Sequence, residues 1–149
     1  MNCSFPLLSR LSMVLLLGLG ACHTNIDEEQ QGHFLLVNAS GQDLTLHVYN
    51  TQDRTWTPVH VSVPVGKPVE RRASGGSGGI VQPELAYLGD SVQVVFADGK
   101  QLLHYCPPAQ PCSPVHTVLS LAQYQEEALN PTYTRYTFTF TPADYANAH

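Results

Sequence analysis

Tyr133-Thr134-Arg135-Tyr136-Thr137-Phe138-Thr139-Phe140-Thr141 decides the fold. Successive side chains of a strand point to opposite faces. Tyr136, Phe138 and Phe140 therefore share one face, and Thr137 and Thr139 share the other. Aromatic and β-branched residues suit a pleated, half-buried surface. Downstream, Thr141-Pro142-Ala143-Asp144 is a helix start, with threonine at the cap, proline at the first position and an acid three beyond the cap. A short C-terminal helical turn is expected there. Upstream, Asn130-Pro131 is a turn signal. The segment from Val115 to Leu129 is open between two states. Its Ala, Leu, Gln and Glu content favours helix, whereas the turn after it favours a hairpin partner for 133–141. The hairpin is the preferred reading.

Period two continues towards the N-terminus. Val92, Val94 and Phe96 alternate with Gln93 and Val95, and Gln101–Tyr105 forms a second run beyond Asp98-Gly99. Asp-Gly between two such runs signals a hairpin closed by a two-residue turn. Further back, Val69–Arg72 is a short strand. Val59, Val61 and Val63 alternate with His60 and Ser62, and Pro64 pushes that strand to an edge or a bend. Leu44, Leu46 and Val48 alternate with Thr45, His47 and Tyr49. Phe34–Val37 is apolar throughout, as suits a strand buried on both faces. Seven or eight short strands separated by turns imply an all-β fold, a single β-sandwich. The immunoglobulin-like kind is expected on frequency alone. The run Gly75–Gly79, rich in Gly and Ser, lacks the Lys-Ser/Thr of a phosphate loop and is expected to be a loop only.

The N-terminal end differs in kind. An apolar run from Leu11 to Leu19, broken by Ser12 and Gly18, follows a segment whose one charge is Arg10. Small residues and Cys22 come next. This is the layout of a secretory signal, too short to span a bilayer, which needs about 20 apolar residues. Leu19-Gly20-Ala21-Cys22 resembles the bacterial lipobox. The resemblance implies cleavage before Cys22 and acylation of its thiol and amine. Residues 1–21 are then the signal peptide, 22–32 a polar tether and 33–149 the β-sandwich domain. The expected membrane partner is reached through covalent lipid at Cys22.

Further residues carry a wider resemblance. The acidic run Asp27-Glu28-Glu29 behind the lipobox, the strand Asp90–Phe96, and the ending Tyr136-Thr137-Phe138-Thr139-Phe140-Thr141-Pro142-Ala143-Asp144-Tyr145 resemble small Bacteroidetes-type envelope lipoproteins. The resembling members of that group are of unknown function, so no catalytic residue carries over. The resemblance implies the outer membrane. Asp27, Glu28 and Glu29 resemble the surface-export signal of that group, which favours the cell surface over the periplasmic face.

Charge and cysteine use narrow the classes. The chain carries a formal net charge of −5. All of its acids follow residue 21, and no basic cluster stands against them. Nucleic acid, bound by neutralising phosphates, is therefore not an expected partner. Cys106 and Cys112 are an even pair in an exported domain and are expected to form a disulfide. His104 and His116 flank them, so His104, Cys106, Cys112 and His116 offer the donor types of a zinc or copper site. Bridging removes the thiolates, so no metal and no cofactor are expected, and the four-ligand site is the alternative. No Ser/His/Asp order is recognisable. Glu126 and Glu127 are adjacent and face opposite ways on a strand. The expectation is a non-enzymatic structural or protein-interaction module of the envelope. The alternative is a glycan- or small-ligand-binding accessory of an uptake system, with Trp56 and Tyr49 or Tyr87 as a stacking surface. Neither the protein or glycan partner nor the oligomeric state follows from the residues.

Overall fold

The computed structural model describes residues 29–51, 57–75, 80–87, 89–107 and 110–149, with the side chains of 84 and 85 excepted. Among these residues there are eight strands: β1 (Gln30–Asn38), β2 (Leu44–Tyr49), β3 (Val59–Val63), β4 (Val69–Gly75), β5 (Ser91–Phe96), β6 (Gln101–Tyr105), β7 (Gln125–Asn130) and β8 (Tyr133–Phe140). Two short helices, α1 (Pro83–Tyr87) and α2 (Pro142–Asn147), complete the order. The strands form two four-stranded sheets. Sheet A runs β4-β1-β8-β7 and sheet B runs β3-β2-β5-β6.

The alternating residues do what their period requires. Tyr136, Phe138 and Phe140 of β8 are buried, together with Phe34 and Leu36 of β1. Leu44, Leu46, Val48, Val61, Val63, Val92, Val94 and Phe96 face them from sheet B. Each such side chain contributes about 1.5–3 kcal/mol by leaving water. A one-residue slip of β8 would put threonines in the core and rings outside, so the pattern fixes the register. Phe34 lies at the centre of the rings, 5.1 Å from Tyr136 and 5.6 Å from Tyr124 between centroids.

The strand order is not the immunoglobulin one. That arrangement pairs the first strand with the second, and the fifth and fourth follow in the same sheet. Here β1 and β2 lie in opposite sheets, and β1 is sandwiched between antiparallel β4 and parallel β8. The cause is the 38–43 connection, which crosses between sheets instead of folding back as a hairpin. Asn38 fixes the crossing: its Nδ2 donates to Val63 O at 2.7 Å and Gln42 O at 2.8 Å. Its Oδ1 accepts from the Ser40 N–H and hydroxyl. Gly41 takes the left-handed φ of 87° that glycine adopts at no steric cost.

Four local expectations are corrected. Val115–Leu129 is neither all helix nor all strand. Its second half is β7, paired antiparallel with β8, and its first half is a loop with a 3-10 turn at Leu121–Gln123. That loop buries Thr117, Val118 and Leu119, which holds it without sheet pairing. The β5–β6 turn has three residues, not two. Gly99 N–H donates to Phe96 O at 2.9 Å, and Phe96 N–H to Lys100 O at 2.9 Å. Gly99, at φ 91°, closes a β-turn over 96–99 in the bulged hairpin form. β1 begins at Gln30, so the domain takes in the last three residues of the stretch expected as tether. Gln31 N–H is held by Thr132 O at 2.8 Å. Finally, β1 is buried on one face and half-buried on the other, because nothing covers sheet A from outside among the described residues. The capping box that opens α2 is present in full.

Candidate functional site

The two outer faces differ in charge. Sheet A's outer face carries Glu70, Arg72, Glu127 and Arg135, with Arg135 2.9 Å from Glu127 and Arg72 3.8 Å from Glu70. His33 lies among them, stacked 5.9 Å from Tyr133, its Nε2 3.2 Å from Glu70 without hydrogen-bond geometry. This is an ordinary solvated face.

Among the described residues, the outward phase of the four strands of sheet B holds no Asp, Glu, Lys or Arg; Asp43, just ahead of β2, borders the face and lines a recess of about 200 Å³ with Thr45, His47, Ser62 and Val95. The outward phase of β2 is Thr45, His47 and Tyr49; of β3, His60 and Ser62; of β5, Ser91, Gln93 and Val95; of β6, Gln101, Leu103 and Tyr105. The registers place these residues in cross-strand rows, the middle one running His60, His47, Gln93, Leu103. Leu103 is 59% exposed and Tyr105 37%. Tyr49 Oη donates to Gln93 Oε1 at 3.2 Å, and Gln93 Nε2 donates to Gln101 Oε1 at 2.6 Å. A polar ladder thus links β2, β5 and β6 beside the exposed Leu103. The His47 and His60 rings meet edge to face, with centroids 4.4 Å apart and planes at 90°. Partial burial and the neighbouring His60 hold the His47 imidazole below its usual range, so it is neutral at pH 7.

A second cluster lies beside the Cys106–Cys112 disulfide. Ser113 pairs with Tyr105 through both backbone hydrogen bonds at 2.8 Å, and His149 pairs with Gln101 in the same way at 2.8 and 3.0 Å. The outer edge of β6 is thereby closed at both ends by the chain itself. His104 is fully buried on the inner face of β6. Its Nδ1 accepts the Val118 N–H at 3.1 Å, so the proton sits on Nε2, which has no hydrogen-bond partner among the described residues. Burial, first, and the nearby His116 lower its pKa to about 4, against a smaller opposing pull from Asp144. His116 Nδ1 lies 2.8 Å from Asp144 Oδ1, and its ring stacks on Phe138 at 4.6 Å. Asp144 Oδ2 accepts from Thr141 N–H and Oγ at 2.7 and 2.8 Å. Every contact of Asp144 is structural: it caps α2 and ties it to the 113–120 loop.

The structure separates several residues grouped by sequence. His104, Cys106, Cys112 and His116 do not assemble as metal ligands, since the cysteines are bridged and both imidazoles point into other contacts. Among the described residues no group of three or more His, Cys, Asp or Glu is placed to hold a metal. Tyr87 is 2% exposed. Its hydroxyl is 3.3 Å from that of Tyr124, and burial pushes its phenol pKa up. It is a core ring and offers no stacking surface with Tyr49, which lies on the outer face of sheet B. Trp56, Cys22, Asp27 and Glu28 lie outside the described residues. Glu29 is exposed. Two shallow recesses of about 270 Å³ each border sheet A, one lined by Gln30, Ile80, Glu126, Thr134 and Tyr136 and the other by Gln31, Arg72, Ser74 and Tyr133. Both fall below the size typical of small-molecule sites. No helix among the described residues is long and apolar enough to cross a membrane.

Sequence reasoning missed the uncharged face as a unit. Its members are legible in phase along each strand, but their union needs the sheet order. The fold and this face define an all-β sandwich in which, among the described residues, the strands of one sheet present no charged side chain outward. No protein family, curated protein or solved structure matches the chain.

Proposed function

We propose that this protein is an outer-membrane lipoprotein, anchored through Cys22, that acts as a non-enzymatic protein-interaction module docking through the outer face of sheet B. One observation carries the reading: in a chain of net charge −5, eleven outward residues on four strands include no formal charge. Depletion of charge with exposed tyrosine and leucine is the composition of interface centres. Such a face has nothing to attract an anionic polymer, and it fits an uncharged, partly apolar protein surface. The alternative of a glycan-binding accessory has less support, because Tyr87 is buried in the core. The lipobox supports the anchor, and Asp27-Glu28-Glu29 supports display at the cell surface. Protease shaving of intact cells, with a periplasmic control, tests that placement.

The docking face is tested by site-specific photo-crosslinking in intact cells. A crosslinking residue at Leu103 is compared with one at Thr139, on the outer face of sheet A. The expected result is a discrete protein adduct from position 103 and none from 139. No adduct from 103, or equal adducts from both positions, overturns the reading. An adduct of the chain with itself identifies the partner as a second copy.

A further inference from the structure

We propose that His47 and His60 together form a binding site for a divalent transition-metal ion of the zinc or copper type on the outer face of sheet B. The two residues are direct cross-strand partners on antiparallel β2 and β3. Side chains so placed start about 4.5–5.5 Å apart at Cβ, and both imidazoles can then reach one ion at about 2.0–2.1 Å. The rings already touch, at 4.4 Å between centroids. Among the described residues neither ring has a hydrogen-bond partner, so no existing bond must break for either to turn a nitrogen towards a shared ion. His60 is exposed and His47 half-buried, which leaves one ring free to swing and holds the other.

The scaffold is rigid where the site needs it. β2 is an inner strand, paired along its length with β3 and β5, and sites on such elements hold their geometry better than sites on loops. The donor set selects the ion. Two imidazoles, with no carboxylate among the outward residues of the four strands, suit copper, nickel and zinc, whereas magnesium and calcium require oxygen ligands. Two protein donors leave the remaining positions of the ion open to solvent, in the middle row of the outer face of sheet B. The site is therefore of the open kind, completed by water or by a donor from whatever sits on that face.

The test uses the full chain, titrated with ZnCl₂ and CuCl₂ by calorimetry and, for zinc, followed through the imidazole ¹⁵N resonances of each histidine. The expected result is one ion bound, with the His47 and His60 resonances moving together. His47→Gln and His60→Gln each weaken binding by at least about tenfold, or about 1.4 kcal/mol. His149→Gln leaves it unchanged, and MgCl₂ moves neither resonance. Both rings face outward, so the variants keep the fold, which far-UV circular dichroism checks. Still resonances at His47 and His60, or a His47→Gln variant in which His60 titrates with unchanged affinity, overturn the proposal.

Discussion

Acidification should cost this fold stability through His104, by an amount the structure sets. In the unfolded chain the imidazole titrates near 6.5; in the folded protein it resists protonation until about pH 4. Between those values the unfolded state binds a proton that the folded state refuses, so stability is complete above 6.5 and is lost as pH falls towards 4. At about 1.36 kcal/mol per unit, the deficit reaches about 2 kcal/mol at pH 5 and about 3 kcal/mol at pH 4. His104 is fully buried, so solvent does not dilute the effect. The charged or titratable neighbours that act on it are Asp144 and His116. The assay is urea denaturation at pH 7 and pH 5 of the native chain and His104→Gln. The glutamine carbonyl can still accept the Val118 N–H, but it does not titrate. The native chain should lose about 2 kcal/mol more than the variant over that interval, a midpoint difference of about 1 M urea at ordinary slopes. The variant's stability at pH 7 does not matter; the change with pH does. Parallel losses in the two proteins would falsify the burial argument for His104.

Three further outcomes follow from packing and capping. A Cβ at Gly89 would lie 2.5 Å from Tyr49 O and 2.5 Å from Val48 Cγ1, and the first of these is backbone that cannot turn aside. Gly89→Ala should therefore destabilise by about 1–3 kcal/mol, read as a lowered urea midpoint. Cys106→Ser opens a loop of sequence separation 6 and should cost about 2 kcal/mol by the chain-entropy relation, with one cooperative melt retained. Asp144→Ala removes the acceptor of both Thr141 donors and the partner of His116, for about 2–3 kcal/mol. Hydrogen exchange should then quicken at Gln101 and His149, and Asp144→Asn should restore part of the protection.

The alternation in 133–141 and 92–96 gave the strands and the core, because burial of one face imposes period two on the residues themselves. The capping box of α2 was equally legible, since Thr141, Pro142 and Asp144 act within one turn. What escaped depended on distance in the chain. Nothing in Phe34–Val37 says that it runs parallel to a strand a hundred residues later, and without that pairing the immunoglobulin order was the natural expectation. Tyr87 looked like a surface ring because its helix, α1, is too short to show a period. The His116–Asp144 contact joins a loop to a helix and leaves no local spacing. His47 and His60 were visible singly, but only the β2–β3 register sets one opposite the other.

The position of β1 has a mechanical consequence. The segment before Gln30 leads straight into a strand that is inner to its sheet, with seven residue pairs to β4 and eight to β8. A pull on that segment runs along the strand axis. It loads both ladders in shear, so the hydrogen bonds on either side must slip together, whereas a strand peeled from a sheet edge gives way one bond at a time. A partner held on sheet B would pass its load through the apolar core into sheet A and out along β1. Tension applied ahead of Gln30 would therefore fall on the longest pairing in the fold, and should be borne by the sandwich as a whole before any single strand comes free.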